Sequence, residues 1–253
     1  MGRSVRVLLS FLLLTTTVTL SAQRAPAPTM LHMDPQVLSL ACAPSVVTAP
    51  PTAPMRVMGG QDVIKRTSHS LGDLVTINAG TDNGVEVGQE FYVRRVLTQG
   101  NSVPSPKNPG VVRTTGWIKI WATDPTMSLA TVTHVCDTMD IGDYLEPFAL
   151  PQMPTVSTEP LKPEKDNYGR VTVGTDRRRA FGKGDYFVLD RGTNHGVERG
   201  SRFVVFRDKL QFQNFLFDLG EAVAVDVRED SATLLVTVSR DAFLLGDYVA
   251  MRK

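Results

Sequence analysis

From about residue 55 to the C-terminus the hydrophobic positions fall into short runs rather than helical stripes. The segments 74–78 and 186–190 are rich in β-branched and aromatic residues and are bounded by Gly-Asp and Gly turns, the pattern of a short strand. Runs at 91–96 and 203–206, at 116–121 and 221–227, and at 128–134 and 232–239 follow in the same order. The stretch Ala222-Val223-Ala224-Val225-Asp226-Val227 suits a strand buried on one or both faces. No segment carries a sustained 3.6-residue apolar period with caps, so the pattern predicts an all-β chain. Short strands with close glycine turns point to a small barrel or sandwich, where closure protects strand edges.

The runs recur because the chain repeats itself. Residues 72–88 match 184–200 at a constant offset of 112, and Phe91 and Val93 extend the match to Phe203 and Val205. A second block, 116–144, matches 220–248 at an offset of 104, pairing Gly142-Asp143-Tyr144 with Gly246-Asp247-Tyr248. The drop in offset marks a longer loop in the first copy, and that loop holds Pro104, Pro106 and Pro109. Two tandem small β-barrel or sandwich modules are predicted, at 55–148 and 168–253.

Between the first two strands of each copy, glycine recurs every four residues: Gly80, Gly84 and Gly88 in one, Gly192, Gly196 and Gly200 in the other. Glycine tolerates positive φ, and interspersed Asp and Asn bond their own turn backbone. These six are read as structural turns, with Val85 and Val197 as small apolar plugs beneath them. A phosphate-cradling loop would need a GKS or GKT ending and a following helix, and neither copy has one.

The order of strand, Asn-x-Gly-(x)3-Gly-Val-x-x-Gly, strand, alternating apolar run and Gly-Asp-Tyr resembles the C-terminal β-domain of bacterial flagellar assembly protein T. It is also similar to modules of exported envelope proteins, some carrying LysM domains, and distantly to the β-domain of the rod-shape protein MreC. The resemblance covers both copies but rests on turn residues, and the α/β domains that precede the module in the flagellar family are not evident here. It implies an envelope scaffold or adaptor.

Residues 1–22 begin with Arg3 and Arg6, continue through an apolar run and end in Ser21 and Ala22, the layout of a secretory signal peptide. The run is too short and too rich in threonine for a membrane span, which needs about 20 apolar residues, and no later segment reaches that length. Periplasmic or extracellular localisation is therefore expected. Seven prolines between Pro26 and Pro54 and five between Pro147 and Pro163 mark a proline-rich tail, 23–54, and a linker, 149–167. In an oxidising compartment Cys42 and Cys136 form a possible disulfide pinning the tail to the first module, with free thiols or an intermolecular bridge as alternatives. Closing that loop would contribute about 4 to 5 kcal/mol through chain entropy.

Charge then narrows the partners. The 27 Lys and Arg against 26 Asp and Glu argue against nucleic acid, whose binding relies on a basic excess. Arg177, Arg178 and Arg179, near Lys183, Arg191, Arg199, Arg202 and Arg207, offer a positive face for an acidic partner or anionic glycan, or else a solvated, partly acid-paired surface. Trp117 and Trp121, four apart on one strand, share a face and are candidates for a glycan platform or for core packing.

The four histidines are expected to be solvated, and none has zinc-ligand spacing. No G-x-S-x-G elbow is present, Cys136 lacks a paired His motif, and the acids at 137–143 miss the calcium-loop spacing. No catalytic residue, cofactor or metal is expected. The sequence points to a non-enzymatic envelope scaffold acting on a protein partner, with a peptidoglycan or glycan binder as first alternative and a hydrolase as second.

Overall fold

The computed structural model describes residues 34–52, 55–63, 66–98, 103–155, 163–175, 178–208 and 216–252. The expected signal peptide, His32 and Arg177 lie outside them.

Among the described residues the chain is all-β apart from one short helix, α1 (Pro35–Ala41), and short 3-10 turns, two of them at the glycine motifs (Thr81–Asn83 and Thr193–His195). After α1 come β1 (Ser45–Val47), β2 (Val57–Gly60), β3 (Ser68–His69), β4 (Leu74–Ile77), β5 (Glu90–Leu97), β6 (Gly110–Thr123), β7 (Ser128–Val135), β8 (Met139–Asp140) and β9 (Tyr144–Pro147). The second copy supplies β10 (Pro163–Gly174), β11 (Ala180–Phe181), β12 (Tyr186–Leu189), β13 (Arg202–Asp208), β14 (Leu216–Val227), β15 (Ala232–Ser239), β16 (Phe243–Leu244) and β17 (Tyr248–Arg252).

The second copy is a closed antiparallel barrel in the order β10-β12-β15-β14-β13-β17. The first copy has the same order, β2-β4-β7-β6-β5-β9, with β1 added outside against β6. Its two ends meet at an Arg56–Tyr144 bridge, where the Val57 and Gly142 amides donate to the Asp143 and Val57 carbonyls at 3.0 and 2.8 Å. A barrel, not a sandwich, is thus the form both copies take. Each interior is a single apolar cluster, built on Ile77, Phe91, Ile118 and Ile120 in the first barrel and on Phe187, Phe203, Leu234 and Phe243 in the second. Val85 and Val197 are fully buried members or lining of these cores beneath the glycine turns.

The turns repeat to the level of single hydrogen bonds. Gly84 and Gly196 have φ of 76° and 74°, the left-handed region that favours glycine. Gly80 and Gly192 have ordinary extended backbones and are required for a different reason: a Cβ there would lie 2.0 Å from the Asp124 carbonyl or 2.1 Å from that of Arg228. The Gly80 amide donates to Asn83 Oδ1 and the Gly192 amide to His195 Nδ1, both at 3.3 Å, so the imidazole stands in for the amide.

Three expectations are corrected. The second module begins earlier than expected, since β10 starts at Pro163 within the expected linker 149–167. Residues 34–52 of the expected tail are not a plain tether but carry α1 and β1. Proline density misleads here because Pro35 occupies the start of the helix, where its missing N–H costs nothing. Asp34 caps that helix by accepting the Gln36 amide at 2.8 Å. The histidines are not all solvated: His69 is 2% exposed, and His134 is half-buried with its ring stacked 4.0 Å from that of Trp117.

Candidate functional site

The described part of the tail forms a clasp wedged between the two barrels. On the helix, Leu38, Ala41 and Cys42 follow an i, i+3, i+4 spacing that gathers them on one side. They pack with Tyr92, Trp117 and Phe148 on the outer surface of the first barrel. Leu40 and Ala43 instead join Tyr186, Val225 and Leu235 on the outer surface of the second, with Met153 from the connector. Burying a leucine side chain of this kind contributes about 1.5 to 3 kcal/mol.

Covalent and polar bonds hold the clasp in place. Cys42 and Cys136 form a disulfide that closes a sequence separation of 94 residues. On the other barrel, Thr233 Oγ1 donates to the Pro44 carbonyl at 2.9 Å and the Tyr186 hydroxyl to the Gln36 carbonyl at 3.4 Å. The Arg228 guanidinium donates to Ser45 Oγ at 3.0 Å and to the Val46 carbonyl at 3.3 Å. Strand β1 meanwhile pairs with β6 of the first barrel. One three-residue strand therefore bonds one barrel through its backbone ladder and receives an arginine of the other.

Under the clasp lies a cavity of about 200 Å3, walled by Ala41 and Pro44 of the clasp, Tyr92 and Arg94 of the first barrel, and Arg199 and Arg228 of the second. Arg94 pairs with Glu146 at 2.6 Å. The Tyr144 hydroxyl is pushed up to about 12, chiefly by burial and then by the nearby Glu146 charge. Burial likewise raises Tyr92 and Tyr186 and lowers His134.

The sequence-based candidates are not gathered at one place. Trp117 and Trp121 both face out from β6, where Ile118 and Ile120 fill the interior. Trp117 is nonetheless only 2% exposed, because the clasp and Phe148 roof it over, while Trp121 is 40% exposed. Trp117 is therefore withdrawn as a platform residue. Its shelter was invisible in the sequence because the covering residues, Leu38 and Ala41 on one side and Phe148 on the other, are far from it along the chain.

Arg178 and Arg179 are exposed on the second barrel, and Arg178 pairs with Asp185 at 2.7 Å. Most of the surrounding basic cluster is neutralised: Arg202 pairs with Glu221 at 3.0 Å, Arg191 with Asp190 at 3.3 Å and Arg207 with Asp247 at 2.7 Å. The solvated, acid-paired alternative describes these groups better than a free positive face.

Cys42, Cys136 and His134 bring potential ligand atoms within 4.8 Å of one another. The two sulfurs are bonded to each other, and a disulfide offers no thiolate to a metal. No known protein family matches the sequence, and a search of curated proteins found no match.

Proposed function

We propose that this chain is an exported, non-enzymatic scaffold or adaptor of a bacterial cell envelope. It would act through protein contact in envelope or surface-appendage assembly. The observation that carries the reading is the clasp: two barrels joined by a connector would swing freely, yet the disulfide, the Leu40 contact and the Arg228 bonds fix their outer faces relative to one another. A fixed pair of faces gives a partner a composite surface without paying interdomain entropy on binding. The same bonds suit an oxidising compartment, where the disulfide persists.

Of the two tryptophans on which the glycan alternative rests, only Trp121 stays open, and a single ring is a poor platform for a chain of sugars.

The test is capture from solubilised envelope extract by the oxidised protein, with crosslinking and mass spectrometry, beside a Leu40→Asp variant whose barrels still give a β circular-dichroism spectrum. A partner held by the native chain and lost on breaking the clasp supports the scaffold. Retention on purified sacculi that disappears in Trp121→Ala selects the glycan reading instead, and capture equal for both proteins overturns the role of the fixed geometry.

A further inference from the structure

We infer that the cavity under the clasp binds a small oxyanion of the phosphate type, held between guanidinium groups supplied by both barrels. The cavity, at about 200 Å3, lies below the roughly 300 to 1,000 Å3 of sites that take drug-sized molecules, so it suits a small ion or a terminal group. Its wall holds Arg94 from β5, Arg199 from the second glycine turn and Arg228 from the end of β14, against the single carboxylate of Asp226.

These cations are incompletely matched. Arg94 gives one terminal nitrogen to Glu146 at 2.6 Å, while its Nε is buried with no hydrogen-bond partner. Arg228 bonds the neutral Ser45 hydroxyl and Val46 carbonyl, and its nearest carboxylate, Asp226, is 3.8 Å away and half exposed. Arg199 stands at the rim and donates to the Gln152 carbonyl, with no carboxylate partner among the described residues. Arg199 thus has only a neutral acceptor and Arg228 mainly neutral ones, and three guanidiniums against the carboxylates of Asp226 and Glu146 leave the wall a net positive charge. The charges of Arg94 and Arg228 both act on the Tyr144 hydroxyl, so the first and second barrels contribute to one electrostatic neighbourhood.

Guanidinium forks match the oxygens of phosphate and carboxylate, and a buried donor without a partner is the atom an incoming oxygen would satisfy. An anion here would also touch both barrels and the clasp, and so bind the docked arrangement in preference to an opened one.

Calorimetry on the full oxidised chain at low ionic strength, in a phosphate-free buffer, tests the site. Titration with inorganic phosphate is expected to give one site per chain and a rise in Tm, and sodium chloride at the same ionic strength neither. Arg199→Gln and Arg94→Gln should each weaken binding at least tenfold. Arg228→Gln also strips bonds from the clasp, so the other two variants decide should it fail to fold. Glycerol phosphate run in parallel separates the sources: binding of both ligands assigns the site to a phosphate end group, and binding of inorganic phosphate alone assigns it to the free ion. Heats matched by chloride, or affinities unchanged in both variants, overturn the inference. The scaffold reading stands or falls separately, since partner capture does not require the anion.

Discussion

Asp143 is 3% exposed and receives the Arg95 guanidinium side-on, Nε at 2.6 Å and a terminal nitrogen at 2.8 Å. The same carboxylate accepts the Asp140 amide at 3.0 Å and the Thr115 hydroxyl at 3.2 Å. The second barrel repeats the arrangement: Arg207 grips Asp247 at 2.8 and 2.7 Å, and Asp247 accepts the Leu244 amide at 2.7 Å. Arg95 and Arg207 each also reach a backbone carbonyl, of Thr138 and Ala242. In each copy one carboxylate ties a strand to the last hairpin just where the barrel closes.

Removing the carboxylate leaves its arginine a more exposed acid, Asp140 at 2.8 Å for Arg95 and Asp241 at 3.6 Å for Arg207, but takes the acceptor from the last hairpin's amide. Asp143→Ala is therefore expected to destabilise the first barrel by about 1 to 3 kcal/mol, and Asp247→Ala the second by a similar amount. Both tryptophans of the chain lie in the first barrel, so tryptophan fluorescence in urea reports the first change and far-ultraviolet circular dichroism is needed for the second. A loss under 1 kcal/mol for both would show the pair to be a solvent-screened contact.

His69 is buried with both ring nitrogens lacking a hydrogen-bond partner, and it packs beside Gly60 across from Met139. The offset of 112 places Phe181 at the equivalent position of the second copy, where the ring joins Phe187 and Phe243 in the core. Leaving a polar group unsatisfied costs about 1 to 3 kcal/mol. His69→Phe should raise the Tm of the first barrel by at least about 2 to 4 °C. His69→Leu guards against a ring too large for the slot, and a fall in Tm for both variants would mean that the imidazole holds a partner of its own.

The repeat explains how much was legible in the sequence. Strand positions, glycine turns and the Val85 and Val197 plugs all follow from local chemistry stated twice, and a coincidence at one offset is hard to produce otherwise. His69 was readable in the same way, since its alignment with Phe181 signals burial, but a lone histidine looks polar when taken singly. The Arg95 and Arg207 clamps sit within the aligned blocks and pair through the last hairpin, a relationship that needs the closed barrel. The clasp has no copy at all. Its contacts join residues 36–46 to residues 92, 117, 186 and 228, and no periodicity in a short helix between prolines declares which two surfaces it will cover.

Burial lowers the His134 side chain from its ordinary value of 6.5, so the folded state holds the imidazole neutral against Trp117 while the unfolded chain protonates more readily. A depressed folded value means the contribution is complete above about pH 6.5, declines as the pH falls through the window beneath it, and levels off once the folded group also binds its proton. The Tm of the native protein should fall between pH 7 and the lower edge of that window more steeply than that of His134→Gln. Parallel profiles for the two proteins would assign the acid sensitivity to other groups.

The glycines of the repeated turn are expected to separate by cause rather than by position in the motif. At Gly80 an added Cβ meets backbone, the Asp124 carbonyl at 2.0 Å and the Pro125 carbonyl carbon at 2.6 Å, and no side chain can rotate away to relieve it. At Gly84 the space is open and the only obstacle is the φ of 76°. Asparagine tolerates that region better than other residues with a Cβ, so Gly84→Asn should cost less than Gly84→Ala, which in turn costs about 1 to 2 kcal/mol. Gly80→Ala must displace the turn carrying Asp124 from the first barrel and should prevent stable folding of that barrel, read as loss of the native tryptophan emission. Gly192→Ala and Gly196→Asn should reproduce the same order in the second barrel. A Gly80→Ala protein as stable as Gly84→Asn would show that the turn moves freely and that the close approach of its carbonyls is not what selects glycine.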